Sequence, residues 1–292
     1  RGDAQRNAAG VALSLAATGP GGAAIDLSTT LSELTPGADF LGRLSARVES
    51  LAPYSGLAGR DLSGTLSAAL EGGGRLDLSA IDLSFDLSGR DLGAGDLSLP
   101  GSIAAQGKVN RQVNGAQGLE LTANGPGGAV VDIALQAASE AGVGLVATDL
   151  SVEIADLAAY AGLAGFELGG GVRLDIEGTT LPNAARFDLS IEAETRNIDV
   201  GSAPVADLLR GTGRITADVT RGDEGGVTLT GASISYPNLV IAGSLDGRGG
   251  AGSGRFNASL TDIGIFAPDF RGPINVEGTA TRKTGGFWLV RT

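Results

Sequence analysis

Chemistry needs particular side chains, and this chain of 292 residues has few of them. It contains no histidine, no cysteine and only two lysines, Lys108 and Lys283. Without histidine there is no Ser–His or Cys–His nucleophile and no imidazole metal ligand. Without cysteine there is no disulfide, no thiolate chemistry and no cysteine zinc site, a composition compatible with an oxidising compartment. Neither lysine stands in an S-x-x-K or GK[ST] context, which removes the serine–lysine pattern and the P-loop. Asp82, Asp86, Asp91 and Asp96 recur in a Gly/Ser-rich stretch and raise calcium as a candidate. They lack the EF-hand spacing and the GGxGxD nonapeptide, so they read as the wet side of strands. The GPGG at 19–22 and again at 125–128 reads as a turn, not as a phosphate cradle. Carboxylate pairs for glycosidase work stay open on sequence alone, though no aromatic sugar platform accompanies them. The expectation is a protein that is not an enzyme, with no catalytic residue, no metal and no cofactor.

Charge narrows the partners. The net charge is −12 and the arginines are scattered, which argues against nucleic acid and against an anionic membrane surface. Hydrophobic residues make up 42% of the chain and aromatics 4%, so apolar contact must come from Leu, Val and Ile. The chain starts at Arg1, with no signal peptide and no apolar run near eighteen residues. It is expected to be a segment of a longer protein, with any membrane anchor outside it.

The elements that must position these residues are strands. Apolar residues alternate with polar ones at Val11, Leu13 and Leu15; at Ile25 and Leu27; at Leu76 and Leu78; and at Ile81, Leu83, Phe85 and Leu87. The same period of two recurs at Val131, Ile133 and Leu135; Leu150, Val152 and Ile154; Phe187, Leu189 and Ile191; and Ile215, Ala217 and Val219. Strand side chains alternate between faces, so each segment predicts one apolar and one wet face. Parity switches from even to odd near Ser79 and Ala80, which predicts a turn or bulge there. Gly-rich punctuation completes a picture of many short strands in meanders. Short helices are predicted after Asp156, an N-cap, and from Pro204 to Arg210. Residues 38–50 fit either a helix or a strand.

The chain also repeats itself. TGPGGAAIDL (18–27) returns as NGPGGAVVDI (124–133), and LAPYSGLAG (51–59) as LAAYAGLAG (157–165), both 106 residues on. A weaker third copy places Asp262–Phe266 beneath Asp156–Tyr160 at the same offset. Glu71-Gly72 and Glu177-Gly178 keep it too, and Glu277-Gly278 follows after a shorter loop. Repeats of this kind bury a continuous apolar face by stacking. The division expected is residues 1–106, 107–212 and a partial copy at 213–292, with about eight strands per full copy.

The stretch LAPYSGLAGRDLSGTLSAALEG (51–72) and its second copy LAAYAGLAGFELGGGVRLDIEG (157–178) resemble the TamB family, the translocation and assembly module subunit of the AsmA-like superfamily. The resemblance covers nearly the whole chain and rests on diffuse, low-complexity motifs. It implies an all-β, elongated, repetitive U-shaped sheet, β-taco-like, with an apolar inner groove and a few short helices. It implies a periplasmic location, with the full-length protein anchored in the inner membrane of a diderm bacterium. The function implied is phospholipid conduction to the outer membrane and support of outer-membrane protein assembly and secretion. The partners implied are phospholipid acyl chains and a TamA-like outer-membrane barrel protein.

On this view the alternating residues named above, from Val11 to Val219, are the candidate groove lining. Tyr54, Tyr160 and Phe266 are equivalent positions in the repeat. Each is expected to anchor a short helix on the sheet edge, with direct lipid contact as the alternative. Two other functions stay in view: a surface adhesin or passenger-type β-solenoid with a closed core, and an assembly scaffold using exposed strand edges. No coil period of about twenty to thirty residues, the mark of a solenoid, is found.

Overall fold

The computed structural model describes residues 1–7, 10–138, 144–181 and 183–292. Among these residues the alternating segments form 18 β-strands. The chain divides into two units, Arg1–Gly142 and Val143–Thr292. The first holds β1 (Gly2–Asn7), β2 (Gly10–Gly19), β3 (Ala23–Leu31), β4 (Asp39–Val48), β5 (Leu62–Arg75), β6 (Ile81–Ala94), β7 (Leu97–Arg111), β8 (Gln117–Gly125) and β9 (Ala129–Ala137). The second holds β10 (Val146–Ile154), β11 (Gly169–Thr180), β12 (Phe187–Asp199), β13 (Thr212–Arg221), β14 (Val227–Tyr236), β15 (Leu239–Arg248), β16 (Ala251–Leu260), β17 (Ile274–Arg282) and β18 (Trp288–Arg291).

Within each unit, consecutive strands pair antiparallel in a plain meander. Among the described residues no pairing joins a unit's first strand to its last. The fold is therefore all-β, with an open sheet in each unit and no closed barrel. Among the described residues the helices are short: α1 (Ser55–Ala58) and α2 (Ala161–Ala164) of four residues each and α3 (Ala203–Leu208) of six, with a few 3-10 turns.

The repeat is written into the backbone. Gly21 has φ 67° and ψ 24°, and Gly127, 106 residues on, has φ 65° and ψ 20°. β5 bulges between Ser63 and Thr65, and β11 bulges at the equivalent place between Gly169 and Gly171. Glycine is required at the first of these. Gly64 has φ +100°, and a Cβ there would stand 2.6 Å from the Arg90 carbonyl oxygen. The Asp156 carboxylate accepts from the Ala158 N–H at 2.9 Å, and Asp262 accepts from Gly264 at the same distance. One copy of the repeat runs from the start of β3 to the start of β9 and holds six strands, not about eight. The strands are longer than expected: β6 has 14 residues and β7 has 15.

Two further expectations resolve against the structure. Residues 38–50, ambiguous in sequence, are mostly β4, because the segment pairs with β3 and β5 along its length. Leu76 and Leu78 are not strand residues. β5 stops at Arg75, and residues 76–80 turn the chain into β6. Leu78 sits in the left-handed region at φ 58°. The Asp77 carboxylate accepts from the Ser79 N–H at 3.0 Å and from its hydroxyl at 2.6 Å, which closes the turn as an Asx turn. Alternation runs on through the tight turn, but the backbone does not. The predicted parity switch falls at this turn.

Candidate functional site

Directly paired residues of an antiparallel sheet share a face, so register decides whether separate apolar stripes become one surface. In the first unit Leu15, Leu27, Leu44, Leu70, Phe85, Gly107, Leu121 and Ile133 form one row across β2 to β9. A second row on that face runs Ala17, Ile25, Ala46, Ala68, Leu87, Ala105, Ala123 and Val131. Leu13, Leu83 and Leu135 stand in a third, and Val11 and Ile81 in a fourth. In the second unit Val152, Leu174, Ala193, Ile215, Ile234, Ile241, Ala258 and Val276 cross eight strands without a polar member. Leu150 and Ile191 share the next row through Ile176, and Leu189 and Val219 pair in the row beyond. Phe187 and Ile154 close the set at opposite strand ends.

Every sequence-predicted lining residue except Leu76 and Leu78 therefore lies on its unit's apolar face. Sequence reading missed Leu44, Leu70, Leu121, Ile234, Ile241 and Val276, which complete the rows. The same alternation was there at Leu119 and Leu121. At β4 it was masked by an equally good helical spacing of Phe40, Leu41, Leu44 and Val48.

Little covers this face. Among the described apolar residues only Ala38, Ala129 and Tyr236 are buried, and no large side chain is fully buried. Leu15, at the β2 end of its row, remains 46% exposed, and Leu70, in the middle of the same row, 37%. The chain exposes 17596 Å² in all. Two compact proteins of half its mass would together expose about 13,700 Å². Where the face does pack, it uses aromatics over glycine. The Phe85 ring lies over Gly107, where a Cβ would come within 2.6 Å of it. The Tyr236 hydroxyl meets the buried Thr195 hydroxyl at 2.6 Å.

The opposite face is wet and charge-paired. In the second unit Glu153, Arg173, Glu194 and Arg214 alternate in sign across four paired strands. Arg173 also bonds Asp175 at 3.0 Å, which holds the Asp175 carboxyl below the usual carboxylate range. Arg43 and Glu71 bridge β4 and β5 at 2.5 Å. The depressions of about 480 and 470 Å³ in the first unit are lined mainly by polar-face residues, among them Ser14, Ser28 and Arg43 in one and Ser84, Gln106 and Lys108 in the other. They are wide open to water and hold no arrangement that would activate a nucleophile. Among the described residues no group of three or more acidic side chains converges as a metal site would need. Asp82 and Asp86 lie on this wet face, in rows with Asn110 and Gln106.

Among the described residues the helical turns lie on the connections that follow even-numbered strands, so each sits at one and the same end of its unit's strands. The Tyr54 hydroxyl donates to the Pro20 carbonyl at 2.8 Å and so ties the α1 turn to the GPGG turn. That is the anchoring role expected for this position. Among the described residues no helix is long and apolar enough to cross a membrane. Comparison with known proteins gives no match of this chain to a family model, to a curated protein or to a solved structure.

Proposed function

We propose that the chain is a periplasmic segment of a TamB-like, bridge-like lipid-transfer protein, a carrier and not a catalyst. Acyl chains of phospholipid lie along the apolar rows while head groups stay in water. The observation that carries this reading is the register: apolar residues of eight successive strands stand in line, and none of them is buried. Each CH₂ kept from water is worth about 0.8 kcal/mol, so a bare sixteen-carbon tail costs on the order of 12 kcal/mol in solvent. An aliphatic surface with no polar hook in its central rows removes that barrier and sets no deep trap. A 14-residue strand such as β6 reaches about 46 Å when extended, enough to fold around a tail and form a trough. A closed, filled solenoid is the poorer reading, since it requires interlocked buried side chains.

Support of outer-membrane protein assembly, and a TamA-like barrel as partner, belong to the same proposal through the sequence resemblance. The test is extraction of the purified chain followed by mass spectrometry, with uptake of a fluorescent fatty acid as the second arm. Co-purifying phospholipid, or saturable uptake, is expected. A preparation that is reproducibly lipid-free and takes up no fatty acid contradicts the proposal.

A further inference from the structure

The apolar face is not apolar to its ends. Its outermost row, at the end of the strands away from the helical turns, carries arginine in four places; one of them, Arg282 in β17, stands in the row of Arg221 and is engaged, its Nε donating to the Gly286 carbonyl at 2.9 Å. Arg6 in β1 pairs with Val11, and Arg111 in β7 pairs with Gln117, and those partners are 106 residues apart. Arg221 in β13 pairs with Phe187 on one side and Val227 on the other. β1, β7 and β13 are successive equivalents in the six-strand repeat, each six strands after the one before. An arginine therefore recurs in each of these three equivalent strands, always on the face that carries the aliphatic rows.

These three guanidiniums are also underused. Arg6 and Arg111 make no ion pair or hydrogen bond among the described residues and are exposed. Arg221 is half-buried; its Nε is buried with no partner, and one terminal nitrogen reaches the Ala184 carbonyl at 3.4 Å. The acids of the adjoining turn do not serve it, since Arg186 takes Asp223 at 3.8 Å and Arg248 takes Glu224. On the wet face, by contrast, Arg43, Arg173 and Arg214 are all paired with carboxylates. A cation held beside an aliphatic surface without a counter-ion suits a ligand with both parts: a hydrocarbon tail and an anionic head.

Resting on the carrier reading above, we infer that Arg6, Arg111 and Arg221 are repeated posts for the phosphate of an acyl-bearing lipid. Within each unit the tail lies on the apolar rows and the head sits at this lip. Guanidinium and phosphate form charge-assisted, bidentate hydrogen bonds, which gives the lip a preference for phosphate over a neutral head.

The experiment compares uptake of fluorescent phosphatidic acid with that of a diacylglycerol carrying the same chains. The intact chain is expected to prefer the phosphate lipid by about tenfold, the scale of one charge-assisted bond. In the triple variant Arg6→Gln, Arg111→Gln, Arg221→Gln that preference is expected to fall to about twofold or less, with diacylglycerol uptake unchanged. Arg43→Gln, Arg173→Gln, Arg214→Gln removes equal charge from the wet face and is expected to leave the preference intact. Glycerol phosphate, with no tail, is expected not to compete. The inference is overturned if the first variant keeps its preference, if the wet-face variant loses it equally, or if glycerol phosphate competes as well as the lipid. Failure of the intact chain to take up either lipid overturns the carrier reading itself.

Discussion

At the residue scale, single groups close the turns that hold the strands in register. Asp262 accepts from the Gly264 and Gly272 N–H groups at 2.9 and 3.1 Å, with Arg271 beside it. Those backbone bonds, then Arg271, hold its carboxyl below the usual carboxylate value. A carboxylate whose value is depressed in the fold contributes stability above its unfolded value, and loses it as pH falls through the folded one. Acidification below about pH 4 is therefore expected to lower the protection of the Gly264 and Gly272 amides relative to their intrinsic exchange rates, with Asp262→Asn abolishing that loss. Nuclear magnetic resonance measures both. Gly64 and Gly59 separate steric clash from backbone strain. Gly59 has φ +66° and open space around its missing Cβ, whereas at Gly64 a Cβ would strike the Arg90 carbonyl. Gly59→Ala is expected to cost about 1 kcal/mol and Gly64→Ala about 2–3 kcal/mol in urea unfolding. Equal costs would show that the bulge tolerates a side chain.

At the element scale, the strands were legible where alternation met a Gly-rich boundary, as at Val131–Leu135, and the repeat where GPGG and LAxYxGLAG returned. Register was not legible, because pairing Leu27 with Leu44 depends on the β3–β4 connection and not on either strand's pattern. β4 itself was undecidable because its apolar spacing serves a helix as well as a strand, and neighbouring strands settle it. Leu76 and Leu78 misled because a turn closed by Asp77 and Ser79 carries the same alternation as a strand. The uncovered face has an energetic signature. A leucine in a packed core costs about 2–5 kcal/mol when cut to alanine, through lost transfer energy plus a cavity. Leu15 keeps 46% of its surface in water and leaves no closed cavity. Leu15→Ala is therefore expected to cost only about 1 kcal/mol. A loss above 2 kcal/mol in a denaturant titration would mean that something covers it. Tyr54→Phe removes the bond to Pro20 and is expected to cost about 1 kcal/mol, while leaving lipid uptake unchanged.

At the scale of the whole molecule, the feature that sets function is what the fold leaves undone. Among the described residues each unit makes its strand pairings within one sheet, and no second layer of elements covers the aliphatic side. Large exposed apolar surface of this kind marks a binding surface. The chain as a whole carries a net charge of −12, and charge of one sign opposes association between copies. The occupant is the central claim, and photo-crosslinking at alternate residues tests it most directly. A photoreactive amino acid is placed at Leu27, Phe85 or Ile191 on the apolar rows, or at their neighbours Ser28, Asp86 or Glu192 on the wet face, in cells labelled with radioactive phosphate. The account predicts labelled lipid adducts at the first three positions and none at the second three. Adducts at both sets alike, or at neither, would contradict it.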